Sequence, residues 1–128
     1  MSVDNMMKES ELGIPVMAHA YGKPYNCSDP NDVGIGSAIA AFMIAMGEYS
    51  YFQTSSSVVG GDPWTDSGWC WHPLYDKLQC GKPKATKNTT GWYVTDRVRQ
   101  FEHCDVCLNQ HSNDYNIMQD GELVAWSH

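Results

Sequence analysis

Residues 33–54 read VGIGSAIAAFMIAMGEYSYFQT, and the fold turns on this stretch. From 33 to 46 the apolar residues follow a helical period, with Ile35, Ile39, Phe42, Met43 and Met46 forming one stripe. Gly34, Ser37, Ala38, Ala41 and Ala45 form a second face of small residues, and no charge falls between Asp32 and Glu48. A surface helix carries a polar face. This one has none, so it must be covered on nearly all sides. Asn31 or Asp32 can cap its first-turn amides, and Gly47 can end it as a C′ glycine. The residues from Glu48 to Thr54 then read as a strand, because Tyr49, Tyr51 and Phe52 suit a pleated, half-buried surface.

Upstream, GIPVMAHAY at 13–21 is a short apolar run ending in His19 and Tyr21, which reads as a buried strand. The Gly, Pro, Asn and Asp residues of 22–32 mark a loop. Strand, loop, helix and strand across 13–54 make a βαβ unit, which implies parallel strands and predicts a larger α/β sheet. Residues 55–90 show little periodicity and hold Trp64, Trp69 and Trp71, so they read as a long functional loop. Residues 91–128 return to extended patterning, with two or three antiparallel strands and a turn at Gln119-Asp120-Gly121.

The whole chain has 128 residues, enough for one domain. Fifteen acidic against eight basic residues give a net charge of −7, which argues against a nucleic-acid partner, since phosphate binding needs clustered Lys and Arg. The longest apolar stretch, 35–47, is 13 residues long. A membrane-spanning helix needs about 20, so no membrane partner is expected. The composition, 42% hydrophobic and 12% aromatic, is that of a globular chain. Residues 1–12 lack the basic start and apolar stretch of a secretory leader. Two acceptor sequons, Asn26-Cys27-Ser28 and Asn88-Thr89-Thr90, and five cysteines nonetheless point to an exported or endomembrane parent protein of which this chain holds a part.

Cys70 and Cys80 flank a short loop that a disulfide would close, given suitable geometry. His103, Cys104, Cys107 and His111 spell H-C-x-x-C-x-x-x-H, the wording of a zinc site. The surrounding QFEHCDVCLN alternates like a strand, however. Cys104 then faces one side with Val106, and Cys107 faces the other with His103 and Asp105. The cysteines read as structural or disulfide-bonded, and no metal or cofactor is expected.

The aromatic residues carry the strongest chemical signal. Tyr51 on the strand, and Trp64, Trp69 and Trp71 in the loop, offer flat faces to the C–H faces of sugar rings, and Asp62, Asp66 and His19 offer hydroxyl partners. Each has a plainer reading: tryptophans that pin a loop, solvated turn aspartates, a hydrogen-bonded core histidine. Glu48 lies at the start of its strand, the wrong end for a barrel active site. Neither a G-x-S-x-G elbow nor a glycine-rich phosphate loop is present.

Several segments resemble hypothetical glycosyl hydrolases of algae and related microbes: AIAAFMIAMGEYSYF at 38–52, Gly68-Trp69, Trp71-His72-Pro73, Tyr75-Asp76-Lys77-Leu78, Gly81-Lys82-Pro83 and RQFEHCDV at 99–106. The likeness spans roughly residues 13–118. It departs at Gln79-Cys80, at an apparent insertion over 55–62, and at Gln100 and Asp105. The resemblance implies the C-terminal fragment of a (β/α)₈ (TIM) barrel: 1–54 as its terminal βαβ part, 55–90 as an aromatic-rich loop, and 91–128 as an antiparallel, β-rich C-terminal appendage.

The function this implies is part of a glycoside hydrolase acting on carbohydrate, inactive in isolation. The alternative is a small, secreted, non-catalytic carbohydrate-binding or adhesive module. The substrate-binding candidates are His19, Tyr21, Tyr51, Asp62, Trp64, Asp66, Trp69 and Trp71, and no catalytic residue can be assigned. A barrel fragment would also leave the 33–46 helix uncovered, so self-association through it is expected.

Overall fold

The computed structural model describes residues 3–20, 33–54, 73–85, 87–88, 96–109 and 111–127. The element order is α1 (Val3–Glu11), β1 (Val16–Ala20), α2 (Val33–Ala45), β2 (Ser50–Thr54), α3 (Pro73–Lys77), β3 (Lys87–Asn88), β4 (Asp96–Gln100), β5 (Cys104–Asn109), β6 (Tyr115–Gln119) and β7 (Glu122–Trp126). β1 and β2 pair in parallel, from Val16 opposite Ser50 to Ala20 opposite Thr54, with α2 as the crossover between them. The other strands form an antiparallel sheet in the order β3-β4-β5-β6-β7.

This arrangement corrects the TIM-barrel expectation. The strand–helix–strand unit is present, but among the described residues its parallel sheet has two strands only. The antiparallel strands are not an appendage, because they supply the main core. Ile39, Ala40, Met43 and Ile44 of α2 are buried with Val106 and Leu108 of β5, Tyr115 and Ile117 of β6, and Ala125 of β7. On another side, Ala45 packs with Met6 of α1 and Val16 of β1. A helix without a polar face needs apolar neighbours all round. Here α1, the parallel pair and the antiparallel sheet supply neighbours on several sides, with Phe42 and Met46 half-buried beside them, so no barrel is required.

Residues 3–11 were not legible as a helix in the polar leader. Val3, Met6 and Met7 supply just enough of an apolar stripe to dock it on α2. Gly13, at φ +74°, ends it in the left-handed conformation glycine adopts freely, with the Gly13 amide donating to Ser10 O (3.1 Å) and the Ile14 amide to Glu9 O (3.1 Å).

The sheet holds α2 by charge as well as by packing. Arg99 of β4 donates from Nη1 to the carbonyl oxygens of Met43 (2.9 Å) and Met46 (2.6 Å), and from Nε to Lys84 O (2.6 Å). Its guanidinium thus occupies the C-terminal end of the helix, where free carbonyls favour a cation. Burial lowers the Arg99 pKa from the ordinary arginine value. Arg97, two residues earlier on the same strand, lies 3.5 Å from Asp4 of α1.

A disulfide joins Cys80, after α3, to Cys104 at the start of β5. Closure of a Cys70–Cys80 loop is therefore not how Cys80 is used. Asp120 and Gly121, both at positive φ, turn β6 into β7 at the position the sequence marks for a turn.

Candidate functional site

Strand alternation sorts the antiparallel sheet into two faces. Along β5, Cys104, Val106 and Leu108 point into the core, while Asp105 and Cys107 point outward. Across the outer face, Val98, Cys107, Asn116 and Trp126 stand in one cross-strand row, and Gln100, Asp105, Met118 and Leu123 in the next.

Leu123 and Trp126 are three residues apart, so a regular strand would send them to opposite faces. A β-bulge prevents this. Ile117 pairs with Ala125 but Met118 pairs with Leu123, leaving Val124 as an extra residue. Leu123 and Trp126 consequently both face solvent, 46% and 48% exposed. Lys77 Nζ donates to Val124 O (3.2 Å), tying the bulge to α3.

The outer face forms a shallow groove of about 570 Å³, with Trp126, Leu123, Met118 and Cys107 as its apolar floor. Its polar margin is built and pre-oriented. Asn109 Nδ2 donates to Asp96 Oδ1 (2.7 Å), Ser127 Oγ donates to Asp114 Oδ1 (3.2 Å), and Asn116 lines the wall. Burial, and then the negative charge of Asp96, push the Cys107 thiol up from its ordinary pKa. It therefore sits in the groove as a neutral, weakly nucleophilic group.

A second concavity, of about 700 Å³, lies on the inner side between α2, β2, α3 and the Cys80 corner. Its wall is aromatic: Phe42 and Phe52 rings are 5.1 Å apart, and Phe52 meets Tyr75 edge-on at 6.1 Å. His103 at its rim lies 3.4 Å from Asp120.

The sequence candidates fall mostly elsewhere. Tyr51 lies on the open face of the parallel pair, 60% exposed, opposite an equally open Met17 at 63%. Its neighbour Phe52 takes the inner side instead. His19 pairs in register with Gln53 near the C-terminal end of the pair. Tyr21, Asp62, Trp64, Asp66, Trp69 and Trp71 lie outside the described residues. The H-C-x-x-C-x-x-x-H run is divided by the strand: Cys104 is consumed by the disulfide and Cys107 opens to the other face. Among the described residues, no three His, Cys, Asp or Glu side chains converge as a metal site.

Sequence reasoning missed the outer groove. The alternation of YNIMQ and the Asp-Gly turn were available signals, but the bulge that turns Trp126 and Leu123 to one side has no mark in the sequence. No protein-family model matches the chain, and no curated protein matches it significantly.

Proposed function

We propose that this chain is a non-catalytic carbohydrate-binding module that uses the outer face of its antiparallel sheet. The observation that carries the reading is the bulge-aligned pair Trp126 and Leu123, set beside oriented amide and carboxylate groups in an open groove. A sugar ring presents an apolar C–H face and a rim of hydroxyls. An indole face matches the first, and Asn116, Asn109, Asp96 and Asp114 match the second. Trp69 and Trp71, whose flat faces the sequence offers to a sugar ring, remain candidates for a further contact.

Catalysis has less support. Glycoside hydrolysis needs two carboxylates on opposite sides of the scissile bond. The two that line this groove among the described residues, Asp96 and Asp114, both stand at one face of the sheet. Among the described residues, neither faces an opposing wall across the groove.

Isothermal titration with neutral oligosaccharides (gluco-, xylo-, manno- and chito-oligomers) tests the reading. Binding is expected, and Trp126→Ala should weaken it by about tenfold, the ~1.5 kcal/mol of a lost aromatic contact. Unchanged affinity in a folded Trp126→Ala variant would remove the groove from the reading. Loss in Trp69→Ala or Trp71→Ala instead would move the site to the 55–72 segment. Turnover of aryl glycosides that Asp96→Asn abolishes would overturn the non-catalytic assignment.

A further inference from the structure

We propose, resting on the carbohydrate reading of this face, that the outer groove selects amine-bearing sugars. The ring of a 2-amino-2-deoxy sugar lies on Trp126, and its protonated amino group pairs with Asp114.

Strand alternation sorts charge across the sheet as well as apolarity. β4 reads Asp-Arg-Val-Arg-Gln, and Asp96 shares the outer face with its register partner Asn109. Arg97 and Arg99 therefore fall on the other side. Both are engaged there, Arg97 beside Asp4 of α1 and Arg99 at the C-terminal end of α2. Asp105 of β5 points outward, and Asp114, just before β6, lines the groove. The sheet thus turns its arginines inward and carboxylates toward the groove. Lys87 is the one lysine in these strands, and the register sets it at the head of the row Val98, Cys107, Asn116 and Trp126. Because β3 and β7 are the two ends of the strand order, roughly 19 Å of sheet separates that position from Trp126.

The groove carboxylates are oriented but not neutralised. Asp114 Oδ1 accepts from Ser127 Oγ (3.2 Å) and Asp96 Oδ1 from Asn109 Nδ2 (2.7 Å), and among the described residues neither is ion-paired. Their field is felt inside the groove, where Asp96 adds to burial in raising the Cys107 thiol.

Charge complementarity selects the occupant. A neutral ring uses the indole face and offers hydroxyls to the margin. Exchanging one hydroxyl for an ammonium turns a neutral donor into a charged one, and a charge-assisted hydrogen bond is about twice as strong. An ammonium beside an indole face also gains from the ring quadrupole. Asp114 and Trp126 line the same groove, with Asn116 as the register partner of Trp126. A lysine side chain would bring the ammonium on a flexible stem, with no ring for Trp126 and no hydroxyls for Asn109 and Asn116.

Isothermal titration with glucosamine, N-acetylglucosamine and glucose oligomers of matched length and linkage, near pH 6, is the test. At low salt the glucosamine oligomer should bind about tenfold tighter than the other two, and the gap should narrow as salt rises. Asp114→Asn keeps an acceptor for Ser127 Oγ and should cut that preference about fivefold, while Trp126→Ala should weaken all three ligands. Trp126-dependent binding without an amine preference, or with a preference that both Asp114→Asn and Asp96→Asn leave intact, would overturn the inference while the carbohydrate reading stands. Failure of all three oligomers to bind, or binding indifferent to Trp126→Ala, would overturn both. A lysine oligomer of equal charge that binds as tightly as the glucosamine oligomer would assign this face to a basic peptide and overturn the inference.

Discussion

The ring and hydroxyl of Tyr115 fill the space that a β-carbon on Gly36 would need, so the sheet closes over a bare patch of the α2 backbone. Tyr115 is buried at that contact, and Gly36 with it. A glycine inside a helix costs about 1 kcal/mol in propensity against alanine. Here the loss is offset by the approach of a whole aromatic side chain.

Gly36→Ala should therefore destabilise the chain despite its better helix propensity. Overpacking of this kind costs roughly 1–3 kcal/mol. The contact involves a stiff ring rather than a flexible chain end, so the upper part of that range is expected. Urea denaturation measures it. Pairing Gly36→Ala with Tyr115→Leu should give a smaller loss than the two single changes summed, because the residues share one space. A neutral Gly36→Ala would show that α2 and β6 do not meet as described.

Arg99 makes the complementary test at the other end of α2. Arg99→Met keeps most of the aliphatic stem but leaves the Met43, Met46 and Lys84 carbonyls without their donor. Hydrogen bonds to charged groups contribute about 1.5–3 kcal/mol, and a loss of that order is expected. Arg99→Lys should recover only part of it, since one ammonium cannot reproduce the forked geometry that serves the helix end and Lys84 together.

The sequence made the βαβ order and the strand character of 104–109 legible because both rest on local periodicity. The apolar run of α2 dictated burial on all sides, yet it could not say by what. Antiparallel strands, a short N-terminal helix and a parallel sheet satisfy the same requirement, and the choice lies in contacts far apart in sequence. The pairing of Cys80 with Cys104 was hidden for that reason: it depends on where α3 sits on the sheet. The outer groove was hidden for another. Leu123 joins its floor only because one extra residue, Val124, shifts it by half a strand repeat. Period-two reading assigns Leu123 to the wrong face.

Reduction should reveal how much the disulfide contributes. Cys80 and Cys104 are 24 residues apart, and closing a loop of that length restricts the unfolded chain by about 3.5 kcal/mol in the chain-entropy treatment. Cys80→Ala and Cys104→Ala should each lower stability by a similar amount. The double variant should be no worse than either single one, because one bridge is lost in every case. Non-reducing peptide mapping should recover the two cysteines together.

Cys107 gives a pH signature. Its thiol is raised by burial and by Asp96, so the folded state holds the proton more tightly than the unfolded state. Below the ordinary thiol pKa the two states are protonated alike and stability is unaffected. As pH rises past that value the unfolded thiol ionises first, so stability falls until the folded pKa is reached. Labelling by iodoacetamide in the native state should be slow near pH 8 and should accelerate in Asp96→Asn, with the greatest gain below the native pKa. Equal rates in the two proteins would mean that Asp96 does not face the thiol.

The charge of the outer face should decide which carbohydrates bind there. Asp96 and Asp114 line the groove and Asp105 stands in the row beside it, while among the described residues no Lys or Arg lines it. A uronate or sulfated sugar would bring further negative charge to within about 8 Å of these carboxylates. In water each such pair costs roughly 0.5 kcal/mol, and more where the groove excludes solvent. With two or three carboxylates acting together, an acidic oligosaccharide should bind on the order of tenfold more weakly than its neutral counterpart at low salt. The gap should narrow as ionic strength rises, because at 0.15 M the screening length has already fallen to about 8 Å. Asp105→Asn removes one charge from the row without disturbing the Asn109 and Ser127 hydrogen bonds that orient the groove margin, and it should raise affinity for the acidic ligand while leaving the neutral one unchanged. Titrations of matched neutral and uronate oligomers at two salt concentrations measure both effects. Equal affinities at low salt would show that the ligand does not approach this face.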